Sequence, residues 1–144
     1  MPVQIRTDGS IRPPIIIDTA LYDRLLSLAT TGAQRWPEAA SLLLREVERA
    51  SLSTPEALPP DVVTIGSEVT FQDRVHGRQR TITLVFPEDA DIEAGRVSVL
   101  TPIGAALLGL AKGQSIEWTS GTGQYRNIAI TDVVDSRAIM ATPA

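Results

Sequence analysis

The sequence predicts an α+β protein: two short amphipathic helices near the N-terminus, then a run of β-strands interrupted by one short helix. Three observations carry this. Leu21, Leu25 and Leu28 recur at helical spacing. From Asp61 the apolar period falls to two. Between two such strands stands Thr101-Pro102, followed by Ala105-Ala106-Leu107-Leu108, a capped helix start followed by good helix formers.

Residues 1–14 are polar, with Gly9 and a Pro13-Pro14 pair, and are expected to be a flexible N-terminus. Asp18 is a plausible N-cap for a first helix over about 19–30, which Thr30-Thr31-Gly32 ends. Pro37 suits the first position of a second helix that runs to about residue 51, with Leu43, Val47 and Ala50 on one face. So short a link implies an antiparallel hairpin over residues 15–57, too short to be stable alone. Trp36 falls at its tip: either its ring folds back on the hairpin's leucines, or it contacts a partner. Pro55, Pro59 and Pro60 break the helical pattern, which places a domain boundary near residue 58.

In the second domain, 58–135, Val62, Val69 and Phe71 read as a strand bent at Gly66, and His76-Gly77 as a turn. Ile82, Leu84 and Phe86 alternate in a second strand, and Pro87 to Gly95 is a long acidic loop. The Val97 strand, the Thr101–Gly109 helix and the strand with Ile116 and Trp118 follow; Trp118 is assigned to the core. Gly121-Thr122-Gly123 is a tight turn. Tyr125, Ile128, Ile130 and Val133 form the last strand, with a phase shift between Tyr125 and Ile128 that reads as a bulge. Residues 136–144 read as a frayed tail.

Composition narrows the function. The net charge is −4, and Lys112 is the only lysine. The arginines are scattered, so no basic patch is visible for neutralising phosphates; Arg74, Arg78 and Arg80 read as a solvated hairpin surface. Two Trp, two Tyr and two Phe offer no stacking platform for bases. With no cysteine and His76 as the one histidine, neither a zinc site nor a histidine-based triad is expected. The Glu88, Asp89, Asp91 and Glu93 run lacks calcium-loop spacing. Gly121-Thr122-Gly123 does not open a helix, as a phosphate loop would. No apolar run is long enough to span a bilayer, and Met1–Asp8 lacks a signal-peptide core, so a cytoplasmic location is expected.

The segment from Pro60 to Val134 resembles the C-terminal domain of the Gre transcript-cleavage factors. The likeness is carried by Val62-Val63-x-x-Gly66-Ser67-x-Val69, by Thr101-Pro102-x-x-x-Ala106-Leu107-Leu108-Gly109, and by Gly113 with the strand after it. The resemblance implies an FKBP-like fold, an antiparallel β-sheet wrapped on one short helix. It also implies a partner: bacterial RNA polymerase, at the rim of the secondary channel. The implied docking loop maps to Thr101 and Pro102. Cleavage factors carry an acid at the position of Leu100, so this chain departs from them there. The expected partner contacts are thus Leu100, Thr101, Pro102 and Trp36, with no catalytic, cofactor or metal-binding residues.

Cleavage factors place two carboxylates at the end of a long coiled coil to help hold a catalytic metal ion. Here helices of about 12–15 residues reach only ~18–22 Å. The tip from Thr30 to Trp36 contains no acid. The expectation is a non-enzymatic, monomeric regulator that competes with Gre-type factors. A cleavage-stimulating factor and a regulator acting on nucleoside diphosphate kinase are the alternatives. Prolyl isomerase activity, which an FKBP-like fold raises, would need more pocket aromatics than this domain has.

Overall fold

The first helix begins where the sequence places it. In the computed structural model, which describes residues 13–120 and 122–135, the Asp18 carboxylate accepts from the Ala20 N–H at 2.8 Å and caps α1 (Thr19–Thr31). Pro37 opens α2 (Pro37–Arg49), and α1 and α2 pack on each other across the 32–36 link. The frayed-tail expectation (136–144) and residues 1–12 of the flexible-terminus expectation (1–14) lie outside the described residues; of the remaining two, Pro13 is buried, and the Pro13 and Pro14 carbonyls accept from the Arg49 and Gln114 side chains.

Two strands frame the helices. β1 (Ile16–Asp18) runs parallel to β2 (Ser51–Ser53), so the chain entering α1 is hydrogen-bonded to the chain leaving α2. The same segment touches the rest of the molecule, because the Ile16 N–H donates to the Gly109 carbonyl at 3.2 Å. Gly109 has a φ of 82°, and a Cβ there would stand 2.9 Å from the Ile15 Cβ. Only a glycine fits both the turn and this crossing.

The main sheet has five strands in the order β5-β4-β3-β7-β6. These are β3 (Glu68–Asp73), β4 (Arg78–Val85), β5 (Arg96–Ser98), β6 (Ser115–Thr119) and β7 (Tyr125–Val134). The expectation of an antiparallel sheet needs a correction: β5 pairs parallel with β4. The chain between them, 86–95, forms two short 3-10 turns and returns to the same end of the sheet, so β5 starts in the direction of β4. α3 (Pro102–Leu107) packs against α2.

Two strand details also differ from the sequence reading. Val62 makes only an isolated bridge to Ala111, and the strand begins at Glu68. Gly66, with φ 94°, turns the chain there, and its N–H donates to the Leu84 carbonyl. The bulge lies at Thr131, opposite the Thr70–Phe71 step, rather than between Tyr125 and Ile128. The phase shift has another cause: Tyr125 is 46% exposed, while Arg126 pairs with buried Trp118 across the β6–β7 ladder.

One apolar core joins the helical pair to the sheet. Leu25, Ala29 and Leu43 belong to the same buried cluster as Val69, Phe71, Ile116 and Ile128. The face that the two short helices cannot cover between themselves is thus covered by the β-rich part of the chain.

At the β3–β4 turn, the Asp73 carboxylate accepts from the Val75 and His76 N–H groups and pairs with the His76 ring at 3.0 Å. Burial pushes its pKa up. The hydrogen bonds from the His76 ring and from the two backbone groups, with the His76 charge, outweigh that and hold it below the ordinary carboxylate value. A depressed carboxylate pKa contributes stability that is present above the unfolded value and is lost as pH falls through the folded one. Asp73→Asn is therefore expected to lower the melting temperature at pH 7 and to leave it little changed at pH 2, as followed by circular dichroism.

Candidate docking site

Ser98, Leu100, Thr101 and Gly104 build the entry to α3. The Thr101 hydroxyl donates to the Ser98 carbonyl at 2.7 Å and accepts from the Gly104 N–H at 3.0 Å. The Leu100 N–H donates to the Ser98 hydroxyl at 2.9 Å. Thr101 is therefore both the N-cap and the brace of the turn, and it presents Pro102 at the first helical position. Thr101→Ala removes both bonds and is expected to cost about 1 kcal/mol of stability in urea unfolding.

The partner contacts expected from the sequence separate in space. Thr101 and Pro102 are half-buried and line one cleft. Leu100 is buried, at 5% exposure. A Cβ on Gly32 would come within 2.7 Å of the Leu100 Cδ2, so Leu100 holds the end of α1 against the β-rich part. Its side chain faces inward and offers no partner a surface. Trp36 is 43% exposed, with the Arg35 guanidinium 4.7 Å over its ring. The ring is not among the buried residues of the helical pair.

The cleft at Pro102 measures about 340 Å³. Its apolar lining is Ala90, Ile92, Val97, Pro102 and Ile103, and Ile92 is 86% exposed. Arg80, Arg96 and Arg126, from three different strands, line the same cleft. The Arg80 guanidinium lies 5.9 Å from the Phe71 ring centre and that of Arg126 5.7 Å from the Trp118 ring centre. The sequence reading missed this site. In sequence Arg80 reads with Arg74 and Arg78 as solvated surface, and neither Arg96 nor Arg126 has an adjacent charged residue to mark it. The available signal was the apolar-position arginine at 126, which produced the apparent phase shift in β7.

Residues 58–135 match the family described as transcription elongation factor, GreA/GreB, C-term. The chain belongs to the GreA/GreB C-terminal family. It is 36% identical over 122 residues to the "Regulator of nucleoside diphosphate kinase" of Escherichia coli (strain K12), covering 85% of this chain and 90% of that one. It is 31% identical over 90 residues to the "Transcription elongation factor GreA" of Syntrophomonas wolfei, covering 57% of that protein. Among solved structures, the "Prokaryotic transcription elongation factor GreA/GreB from Nitrosomonas europaea" superimposes with a TM-score of 0.66 at 36% identity. That match covers 85% of this chain and 99% of the other. The GreA/GreB match spans the cleft, the Thr101-Pro102 turn and all five strands of the main sheet.

Proposed function

We propose that this chain is a non-enzymatic transcription regulator that binds RNA polymerase at the rim of the secondary channel and competes there with GreA/GreB factors. Its FKBP-like β domain supplies most of the affinity through the Pro102 cleft. The observation that carries the reading is this half-open apolar cleft, built around the Thr101-Pro102 turn within the region that matches the GreA/GreB family. Apolar side chains half-open to solvent at the centre of a concave surface are the usual seat of interface energy.

The helical pair acts by partial obstruction of the channel mouth, with Trp36 as its contact. Each helix has 13 residues, a rise of ~20 Å. The Gly32–Trp36 link carries no carboxylate to hold a catalytic metal ion. The single apolar core, which covers the inner faces of both helices, supports a monomer. A polymerase partner places the protein in the cytoplasm.

Retention on immobilised RNA polymerase tests the reading. The wild-type chain is expected to be retained, and Pro102→Asp to bind about tenfold more weakly. Aspartate is well tolerated in the first turn of a helix, so the variant keeps its fold. In a stalled elongation complex, no shortened transcripts are expected. Absence of retention, or transcript cleavage on addition of the protein, overturns the proposal. Direct regulation of nucleoside diphosphate kinase would show as co-purification of the kinase without polymerase.

A further inference from the structure

The occupant of the Pro102 cleft can be specified further, on the reading that this cleft is the polymerase-docking site. The chain is acidic overall, with a net charge of −4. Yet every charged residue lining this cleft is an arginine, and no carboxylate lines it. Three of the chain's cations therefore converge on one concavity from positions 80, 96 and 126. Among the described residues none of the three forms an ion pair or a side-chain hydrogen bond. Carboxylates do occur nearby on the 87–95 segment. The Asp91 side chain is turned back to accept from the Ala94 N–H, and Glu88 contacts Arg24 of α1.

Two of the three arginines are held by packing rather than by neutralisation. Arg80 and Arg126 each lie beside an aromatic ring, Phe71 and Trp118. Such stacking fixes the stem and leaves the guanidinium N–H groups available. The Nε of Arg126 is buried and has no partner among the described residues. An unpaired, partly buried guanidinium is costly unless an anion completes it. The same cleft has an apolar lining that includes Val97, Ile103 and the largely exposed Ile92.

We infer that the cleft binds an acidic peptide segment of the polymerase, one that presents an apolar side chain flanked by carboxylates. The apolar side chain enters between Pro102, Val97 and Ile103, and the carboxylates pair with Arg80, Arg96 and Arg126. Guanidinium–carboxylate pairs at the rim of an apolar pocket set the choice of partner and the association rate, while the pocket supplies affinity.

Two measurements test this on the full chain. The first is fluorescence anisotropy with a labelled peptide of glutamates around a central leucine. Its comparators have the glutamates changed to lysine or the leucine changed to glycine. The second is polymerase binding by Arg80→Glu/Arg96→Glu, Arg80→Lys/Arg96→Lys and Lys112→Glu. Arg80 and Arg96 are both exposed, so these variants leave the core intact, and Lys112→Glu is a charge control outside the cleft. The expected result is binding of the glutamate–leucine peptide at least about tenfold tighter than either comparator. The double glutamate variant should lose that peptide and bind polymerase at least about tenfold more weakly. The lysine variant keeps the charge but not the guanidinium fork and should fall between wild type and the double glutamate variant. Lys112→Glu should stay within about threefold of wild type, and binding by the wild-type chain should weaken as salt rises.

Equal binding of all three peptides, no peptide binding at all, or polymerase binding unaffected by the double glutamate variant would overturn the inference. If polymerase is retained and Pro102→Asp releases it while the arginine variants do not, the docking site stands and the acidic occupant falls. If the peptide binds as expected but polymerase is never retained, the proposed function falls instead.

Discussion

Leu100→Ala is expected to destabilise the protein by about 2–5 kcal/mol while leaving the proposed docking surface of the folded molecule unchanged. Leu100 sits at the position where the motif resemblance implied a partner contact. The structure turns its side chain inward, against Gly32 at the end of α1. Truncating it opens a cavity between the helical pair and the β-rich part, and the measured cost depends on how far Gly32 and α1 settle into the space. Urea unfolding gives the stability change. Polymerase affinity, measured well below the unfolding transition, should remain within about threefold of wild type, because no interface contact is removed. A loss of affinity with unchanged stability would mean that Leu100 faces the partner.

Gly104→Ala is expected to have a comparable effect through a different route. A Cβ at Gly104 would lie 2.1 Å from the Ser98 carbonyl oxygen and 2.9 Å from the Thr101 hydroxyl. Both are atoms of the turn that presents Pro102, and the Ser98 oxygen already accepts the Thr101 hydroxyl proton. The backbone must shift to admit the methyl group, and no flexible side-chain end can yield in its place. The cost should reach about 3 kcal/mol, the upper part of the range for overpacking. For a chain of this size that is a fall of roughly 6–12 °C in melting temperature. Unlike Leu100→Ala, this change also moves Thr101 and Pro102, so stability and polymerase binding should fall together. A melting temperature within about 2 °C of wild type would show that the turn has more room than its contacts indicate.

The elements that could be read from sequence are those whose signals are local. Asp18 before α1, Pro37 at the start of α2 and Thr101-Pro102 before α3 all declare themselves by capping chemistry within a few residues. The alternation of Ile82 and Leu84 likewise marks a half-buried strand. β1 and β2 gave no such signal. Each has three residues, and they pair only because the two helices between them bring their ends together. The parallel entry of β5 depends on how the 86–95 segment turns, which no two-residue period reports.

The candidate docking site was legible in part for the same reason. Thr101 and Pro102 form a contiguous motif and stood out. The arginines of the cleft are contributed by β4, β5 and β7, and only the sheet order brings them together. Arg126 occupies an inward position beside Trp118, where a charged residue breaks the apolar pattern that would otherwise identify it. Leu100 enters the expected contacts through its place in the Gre-type motif, which carries no information on which way the side chain points, and in the structure it is buried. At the tight turn between β5 and α3, one residue is enough to reverse a side chain's direction.

Competition for polymerase tests the central claim most directly. A fluorescently labelled GreA factor is bound to RNA polymerase, and this chain is titrated in, alongside Pro102→Asp. The account predicts full displacement of the label by the wild-type chain, displacement at about tenfold higher concentration by the variant, and no transcript shortening in a parallel stalled complex. Simultaneous binding of both proteins, or equal displacement by wild type and Pro102→Asp, would contradict it.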